Sequence, residues 1–222
     1  MVEIWVVDIM TVKGKRFFEY MQVLPKIREL EKKHGTHTLD EFLVVAGAGI
    51  QIVCLTKFDS MEARTKVTGA YMKDPDFIEL GKEASRCVQT YEQFVCAADA
   101  KIGHRPPSAR SSKKYLEILR VKKEPANASA KIAEIIHFWQ DKLGKEHVQP
   151  LVVLHPLFYN CGTRCVLILL EAPDDIDAHL HSYLHHGLED TVYKAKINEF
   201  YEHMEMMSSR LLLPLRSLKS DD

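Results

Sequence analysis

A histidine-rich segment, H-L-H-S-Y-L-H-H, ends at His186 and gathers side chains that could move a proton near neutral pH. Histidine has an unperturbed pKa of about 6.5, which suits general acid–base catalysis. At about 100° per residue of a helix, His179, Tyr183 and His186 lie on one side of an apolar stripe, and His181 and His185 lie on the other. The first group is therefore predicted to border a pocket, with His179 and Tyr183 as catalytic candidates and His186 as a ligand contact.

The alternative for this segment is a polar helix margin that happens to be rich in histidine. His181 and His185 form an i, i+4 pair that could chelate a metal, but the neighbouring sequence offers no third ligand. Cys161 and Cys165 flank a predicted turn and equally lack a second pair of ligands. We therefore expect no metal site.

A predicted strand over 151–159 carries the second group of candidates. Its alternation places His155 and Tyr159 on one face together with apolar side chains. His155 is a candidate general base, and Tyr159 could donate a hydrogen bond to a carbonyl or enolate oxygen. The alternative is a buried histidine bonded to a backbone carbonyl, with the tyrosine at the rim of the sheet.

Two charges stand among apolar residues of predicted strands, Asp8 in the first half of the chain and Arg120 in the second. An unpaired charge there would cost several kcal/mol, of order 3 or more, so each must be paired, ligand-bound or at a wet edge. A pair between the two is one hypothesis, and Glu3, Glu117 and Arg164 are rival partners.

Arg64 and Trp5 complete the candidate ligand contacts. A guanidinium such as that of Arg64 can hold a carboxylate or a phosphate, although pairing with nearby Glu62 is the alternative. Trp5 is more typical of a packed core than of a cofactor site. The chain has no glycine-rich phosphate loop, nucleophile elbow or paired-carboxylate motif, which sets aside nucleotide-binding and serine-hydrolase functions.

The elements that must position these residues follow the same order twice along the chain. The first half is predicted as strand 2–12, a helix from 17 that Pro25 kinks or breaks and Gly35 closes, strands 36–46 and 50–58, helices 60–73 and 77–86, and strand 91–97. The second half is predicted as strand 115–121, helix 127–143, strands 151–159 and 164–170, helices 174–188 and 191–207, and strand 210–215. The repeat is one of element order, with little residue identity.

This order predicts an α+β fold of two tandem ferredoxin-like βαββαβ units, residues 1–98 and 115–222, joined by a polar linker over 99–114. Helices cover one face of each such sheet. The other apolar face must also be buried, because a soluble protein rarely exposes an apolar surface of that size. We expect the two antiparallel sheets to pack face to face as an intramolecular α+β barrel with room for a small molecule.

Composition narrows the functional classes. The 222 residues include 46% apolar side chains, and the net charge is −1, so nothing indicates nucleic acid as a partner. No apolar run reaches the roughly 18 residues of a membrane span. The N-terminus resembles a strand and no signal peptide, and five cysteines are an odd number, so we expect a reducing, cytoplasmic location.

A family resemblance rests on two motifs of the first half. The segment Phe58-Asp59-Ser60-Met61-Glu62-Ala63-Arg64 followed by Asp74-Pro75-Asp76-Phe77 resembles the NIPSNAP signature of an acidic entry, an arginine and a D-P-x-aromatic break. In the second half, Asp175-Ile176-Asp177-Ala178-His179-Leu180 is similar to a helix of antibiotic-biosynthesis monooxygenase domains, although the D-P-x-aromatic break is missing there. The resemblance implies two copies of a dimeric α+β barrel half, but it implies no single reaction.

Three functions remain open from the sequence. The first is a cofactor-independent cyclase, isomerase or oxygenase that acts on a hydrophobic carbonyl or phenolic compound. The second is a non-catalytic binding or interaction protein of NIPSNAP type. The third is a haem-binding protein with one axial histidine. A homodimer is possible in each case.

Overall fold

The computed structural model of this protein describes residues 2–36, 38–44, 49–100, 102, 113–123, 125–145, 148–158, 164–172, 181 and 185–215. The chain divides into two compact units, which change over between Ala98 and Asp99. Of the described C-terminal residues, Leu213, Pro214 and Leu215 also belong to the first unit. Among the described residues, no helix is long and apolar enough to cross a membrane.

The first unit is an antiparallel sheet of four strands in the order β2-β3-β1-β4. Its elements are β1 (Ile4–Val12), a 3-10 turn, α1 (Phe17–Lys33), β2 (Thr38–Val44), β3 (Ile50–Phe58), α2 (Met61–Tyr71), α3 (Pro75–Cys87) and β4 (Val88–Ala98). This order of strands and helices is the predicted ferredoxin-like βαββαβ unit.

Of the kink or break predicted at Pro25, the break does not occur, because α1 continues through this residue as one helix. Proline removes one backbone hydrogen bond, but the buried side chains of Tyr20 and Leu24 pack against the sheet and hold the same turns in place. The helix ends as predicted at Gly35, whose φ of +80° lets Thr36 donate its backbone N–H back to the carbonyl of Glu31.

The predicted interruption between α2 and α3 is confirmed. Ser60 caps α2 by accepting a hydrogen bond from the backbone N–H of Ala63, at 3.1 Å. Asp74 caps α3 through the N–H of Asp76, and Pro75 occupies the first helical position, where its missing N–H is not needed. The D-P-x-aromatic motif is thus a helix start.

The second unit repeats the topology in the order β6-β7-β5-β8. Its elements are β5 (Lys114–Val121), a 3-10 turn, α4 (Ala128–Leu143), β6 (Gln149–Pro156), β7 (Cys165–Glu171), α5 (Thr191–His203) and β8 (Met204–Pro214). The predicted α+β class with two tandem ferredoxin-like units is confirmed.

One boundary of the second unit was wrong in the sequence prediction. The helix expected to run to Met207 ends at His203, and the last strand begins at Met204. Met204 and Met206 alternate along that strand and pack on the same core, so their spacing belongs to a strand and not to a helix. Most of the predicted helix over 174–188 lies outside the described residues.

The two helix–sheet layers are filled differently. In the second unit, a large cluster of side chains from α4, α5 and the sheet is buried, including Ile132, Ile135 and Leu119, each no more than 1% exposed. In the first unit, the cluster around Tyr20, Ile52 and Cys54 is smaller. A cavity remains beside it.

Candidate functional site

The candidate site begins with a row of polar side chains across the first sheet. Asp8 on β1 pairs with Gln93 on β4 and with Cys54 on β3, and Cys54 pairs in turn with Glu41 on β2. Alternation places Asp8 on the face that carries Met10 and Val12, which pack with α1. The row therefore lies under the helices of this unit.

A cavity of 440 Å³ lies above this row. That volume falls within the range of small-molecule sites, about 300–1,000 Å³. Its walls come from α1, α3 and the sheet and consist of Asp8, Met10, Tyr20, Leu24, Ile27, Arg28, Glu31, Cys54, Gly81, Ala84, Ser85, Val88, Gln89 and Tyr91. Most of these side chains are apolar, and among the titratable ones two carboxylates face one guanidinium.

Asp8 is held on one side only. Its Oδ1 accepts hydrogen bonds from the hydroxyl of Tyr91 at 2.6 Å and from Nε2 of Gln93 at 2.9 Å. Its Oδ2 has no hydrogen-bond partner among the residues that the structure describes. Burial raises the pKa of Asp8 above its ordinary value, and the two hydrogen bonds and the charges of Arg28 and Arg64 oppose that rise.

Arg28 reaches from α1 down to the same row. Its guanidinium is paired with Glu31 and Glu41 and donates to Sγ of Cys54 at 3.1 Å. Burial raises the pKa of the Cys54 thiol, although Arg28 opposes the rise, so the sulfur is a neutral thiol. Beside it, the Tyr20 hydroxyl donates to Sδ of Met10 at 2.9 Å.

Asp8 and Arg120 do not form the pair that the sequence suggested, because each finds its partners inside its own unit. Arg120 lies 3.2 Å from Glu205, and its side chain is 45% exposed. Asp8 and Arg120 also lie on different faces of their sheets. Arg120 alternates with Leu119, which packs under the helices of the second unit, so Arg120 lies on the other face of its sheet.

The position that corresponds to Asp8 in the second unit is Glu117, four residues before the end of the first strand and on the helix-facing side. Its Oε2 is buried without a hydrogen-bond partner among the described residues. Burial raises the pKa of Glu117 to about 7. Each unit thus carries a carboxyl group at this position of its first strand, on the side that faces the helices.

Arg64 and Trp5, the other candidates of the first half, have defined contacts. Arg64 donates from Nη2 to Oε1 of Gln93 at 3.3 Å, which joins it to the Asp8 network. Trp5 is 6% exposed and donates from its indole nitrogen to Glu3, at 3.3 Å. By alternation it lies on the opposite face of β1 from Asp8.

His155 lies in the second unit and is not among the residues that line the cavity of the first unit. Its Nε2 is 2.9 Å from Oδ2 of Asp99 and 3.1 Å from Oγ of Ser129. A Ser-His-Asp triad needs the serine and the aspartate on different ring nitrogens, and here both lie on the same one. The three side chains are therefore arranged as a hydrogen-bonded anchor and not as a nucleophile with its base.

Of the histidine-rich segment, the structure describes His181, His185 and His186. His185 is paired with Glu189 at 3.1 Å, and Nδ1 of His186 lies 3.8 Å from Asp190. His186 also stacks against Tyr193. In the described part of the chain, no three His, Cys, Asp or Glu side chains are grouped to hold a metal ion.

The remaining catalytic candidates, His179, Tyr159 and Tyr183, lie outside the described residues. Their predicted roles, like that of His155, stay predictions.

Sequence reasoning missed Tyr20, Arg28, Cys54, Tyr91 and Gln93. The available signal was weak, because polar residues in helices and strands are usually exposed to solvent. Only Asp8, a charge inside an apolar strand, marked the row. Its partners come from β3, β4 and α1, far away in the sequence.

Comparison with known proteins places this fold among a group of solved structures. No protein-family model matches the chain, and no curated protein does. An anthrone oxidase-like protein is 12% identical, with 96% of this chain and 91% of that chain covered and a TM-score of 0.64. A candidate monooxygenase of Fusobacterium nucleatum subsp. nucleatum is 13% identical, with 96% and 93% covered and a TM-score of 0.60.

Two further structures are similar. A haem-binding protein from Thermus thermophilus is 11% identical over 98% of this chain and 95% of its own, with a TM-score of 0.55. A NIPSNAP family protein of unknown function from Agrobacterium tumefaciens str. C58 is 18% identical over 43% of this chain and 86% of its own, with a TM-score of 0.40. The resemblance predicted from sequence is confirmed at the level of the fold, and the full-length matches carry that conclusion.

Proposed function

We propose that the cavity of the first unit binds a neutral, hydrophobic carbonyl or phenolic compound and that Asp8 removes a proton from it without a cofactor. The observation that carries this proposal is the one-sided anchoring of Asp8. Tyr91 and Gln93 hold Oδ1, and Oδ2 is left to a ligand in a cavity with mainly apolar walls.

The chemistry follows from the environment of this carboxylate. Burial raises the pKa of Asp8, which makes the ionised form a stronger base than an exposed aspartate. A C–H bond next to a carbonyl group, or a phenolic O–H, could then transfer its proton to Oδ2. The bonds from Tyr91 and Gln93 keep the carboxylate in place during the transfer, so no reorientation is required.

The charge of the walls favours a neutral substrate. The described lining carries two acidic side chains, Asp8 and Glu31, and one basic side chain, Arg28. Arg28 is already paired with Glu31 and with Glu41. An anionic ligand would meet a net negative surface. Apolar contacts from Leu24, Ile27 and the helix α3 would supply most of the affinity.

The described lining of this cavity does not support haem bound through one axial histidine, which is the form predicted from the sequence. The described lining residues include no histidine. The sulfur atoms of Met10 and Cys54 already accept hydrogen bonds from Tyr20 and Arg28. The haem-binding protein from Thermus thermophilus supports a shared fold and no shared ligand.

The test uses anthrone as its probe, because a solved protein with this fold is named anthrone oxidase-like. Under argon, the wild-type protein is expected to accelerate exchange of the C10 hydrogens of anthrone with deuterium from solvent, followed by proton NMR. Asp8→Asn should lose about 100-fold or more of that acceleration, since the amide cannot accept the proton. In the presence of dioxygen, anthrone and one O2 would give anthraquinone and one water.

Asp59→Asn is the matched control, because Asp59 is an exposed aspartate of the same unit. It should retain the wild-type rate. His155→Ala tests the base predicted from sequence, and we expect its rate to be unchanged. An Asp8→Asn protein that exchanges as fast as the wild type would exclude Asp8 as the base.

A melting-temperature measurement with anthrone, made beside the exchange experiment, tests the non-catalytic alternative. If anthrone raises the melting temperature of the wild type but exchange is not accelerated, the cavity is a binding site without chemistry. Saturation at about 100 times the dissociation constant would stabilise the protein by about 2.7 kcal/mol.

A further inference from the structure

The amide of Gln93 stands between Asp8 and a cation on another element. Its Nε2 donates to Oδ1 of Asp8 at 2.9 Å and to the hydroxyl oxygen of Tyr91 at 2.7 Å, two acceptors that lie next to each other on the same side of the NH2 group. Its Oε1 accepts from Nη2 of Arg64 at 3.3 Å. Every polar atom of this amide therefore has a partner.

The cation determines which way the amide faces. A guanidinium has five donors and no acceptor, so only the carbonyl oxygen of Gln93 can face Arg64. The NH2 group must then face Asp8 and Tyr91. Because the Tyr91 oxygen accepts from Gln93, its own hydrogen is directed to Oδ1 of Asp8, at 2.6 Å.

A flipped amide would reverse this order. Its oxygen would face Oδ1 of Asp8, where two acceptors repel each other, and it would compete with Asp8 for the Tyr91 hydrogen. The anchoring of Oδ1 would then be lost. The orientation of a single amide thus decides which oxygen of Asp8 is held and which remains available.

We propose that Arg64 is a positioning residue for Asp8 and acts through Gln93. This inference rests on the proposed function of Asp8 as the base of the first unit. Arg64 forms no hydrogen bond or ion pair with Asp8 and is not among the described residues that line the cavity. Its effect is to fix the direction of the hydrogen bonds to Oδ1, so that Oδ2 remains available to the substrate.

The backbone around Arg64 is fixed well enough for this role. Arg64 lies in the first turn of α2, which Ser60 caps. Met61 in the same turn packs against the apolar cluster of Ile4, Val6 and Val95 on the sheet. The start of α2 is therefore tied to β1 and β4, the strands that carry Asp8 and Gln93.

The experiment is a double-mutant cycle on the pKa of Asp8, measured by carbon NMR of protein labelled at the aspartate carboxyl carbon. Arg64→Met removes the charge and the donor, and Gln93→Leu removes the relay. If Arg64 acts through Gln93, Arg64→Met raises the pKa of Asp8 more in the wild type than in the Gln93→Leu background. Equal effects in both backgrounds would show a through-space charge effect alone and overturn the proposal.

Anthrone exchange gives a second readout. Arg64→Met should lower the rate about tenfold in the wild-type background, because a displaced base loses alignment. It should have no further effect in Gln93→Leu. Arg64→Lys, which retains the charge and a donor, should restore most of the rate, and an Arg64→Met protein with the wild-type rate would contradict the positioning role.

Lys66→Met is the matched control, because Lys66 is an exposed cation on the same helix. It should leave both the pKa of Asp8 and the rate unchanged. Different results would contradict the role of Asp8 as the base and the positioning role of Arg64. An unaffected rate in Asp8→Asn excludes Asp8 as the base, whereas an additive pKa cycle excludes only the relay from Arg64.

Discussion

At the scale of single residues, the two units place a carboxyl group at corresponding positions and surround it differently. Asp8 has two donors and lines a cavity. Glu117 has a buried oxygen without a partner among the described residues, in a layer filled by apolar side chains. A buried carboxyl without donors is costly when ionised, so the two groups respond differently to pH.

Glu117 should make the stability of the protein depend on pH. Its pKa is raised from 4.5 to about 7, so its contribution favours the folded state fully below pH 4.5 and is lost as the pH rises through 7. At about 1.4 kcal/mol per pKa unit, the loss corresponds to about 3 kcal/mol in the free energy of unfolding. Urea denaturation of the wild type between pH 4.5 and pH 8 measures this change.

Glu117→Gln should remove this part of the pH dependence and make the protein more stable than the wild type at pH 8. Glu92→Gln, at an exposed strand position, is the control and should keep the wild-type profile. If the wild type and Glu117→Gln lose stability in parallel over this range, the folded-state pKa of Glu117 is not raised.

At the scale of elements, the capped starts of helices were more predictable than helix interiors. Capping depends on residues next to each other in the chain, such as Ser60 with Ala63 and Asp74 with Asp76. Of the kink or break expected at Pro25, the break did not occur, because tertiary burial of neighbouring side chains outweighs the lost hydrogen bond. Local rules identify caps, whereas packing decides whether a helix tolerates a proline.

The end of α1 offers a test with a matched pair of glycines. Gly35 has a φ of +80°, where an alanine is strained, so Gly35→Ala should destabilise the protein by about 1 kcal/mol. Gly69 is inside α2, and a Cβ added there would meet open space, so Gly69→Ala should stabilise it by about 0.5–1 kcal/mol. Chemical denaturation of both variants measures the difference. If both substitutions changed the free energy of unfolding in the same direction, the role of Gly35 as the helix terminator would be contradicted.

At the scale of the whole molecule, the first unit is completed by the far end of the chain. Leu215 is 5% exposed and belongs to the same buried cluster as Val12, Tyr20 and Ile52. The sequence predicted separate halves at 1–98 and 115–222, and this contribution could not be seen in it. A residue after the last strand is therefore part of the core beside the cavity.

Leu215→Ala should destabilise the protein by about 2–5 kcal/mol, the usual cost of a large-to-small change in a core. Leu157→Ala is the matched control, because Leu157 is 40% exposed, and we expect almost no change. Hydrogen exchange at the backbone amides of β1 should become faster in Leu215→Ala only. Unchanged protection of β1 would show that Leu215 does not support the first unit.

The sequence by itself determined the local elements, their order in two βαββαβ units and the presence of Asp8 as a charge in an apolar strand. Periodicity and capping act within a few residues, so they can be inferred from a single chain. This is why the fold class was predictable.

Only the tertiary structure decided where the candidate site lies. Asp8, Cys54 and Gln93 are joined by the register of three strands, and a shift of one residue in either pairing would move a side chain to the other face. That register depends on contacts between distant parts of the chain. The carboxylate that sequence reasoning matched with Arg120 therefore stands instead beside Tyr91 and Gln93, within a row that Arg28 covers from α1.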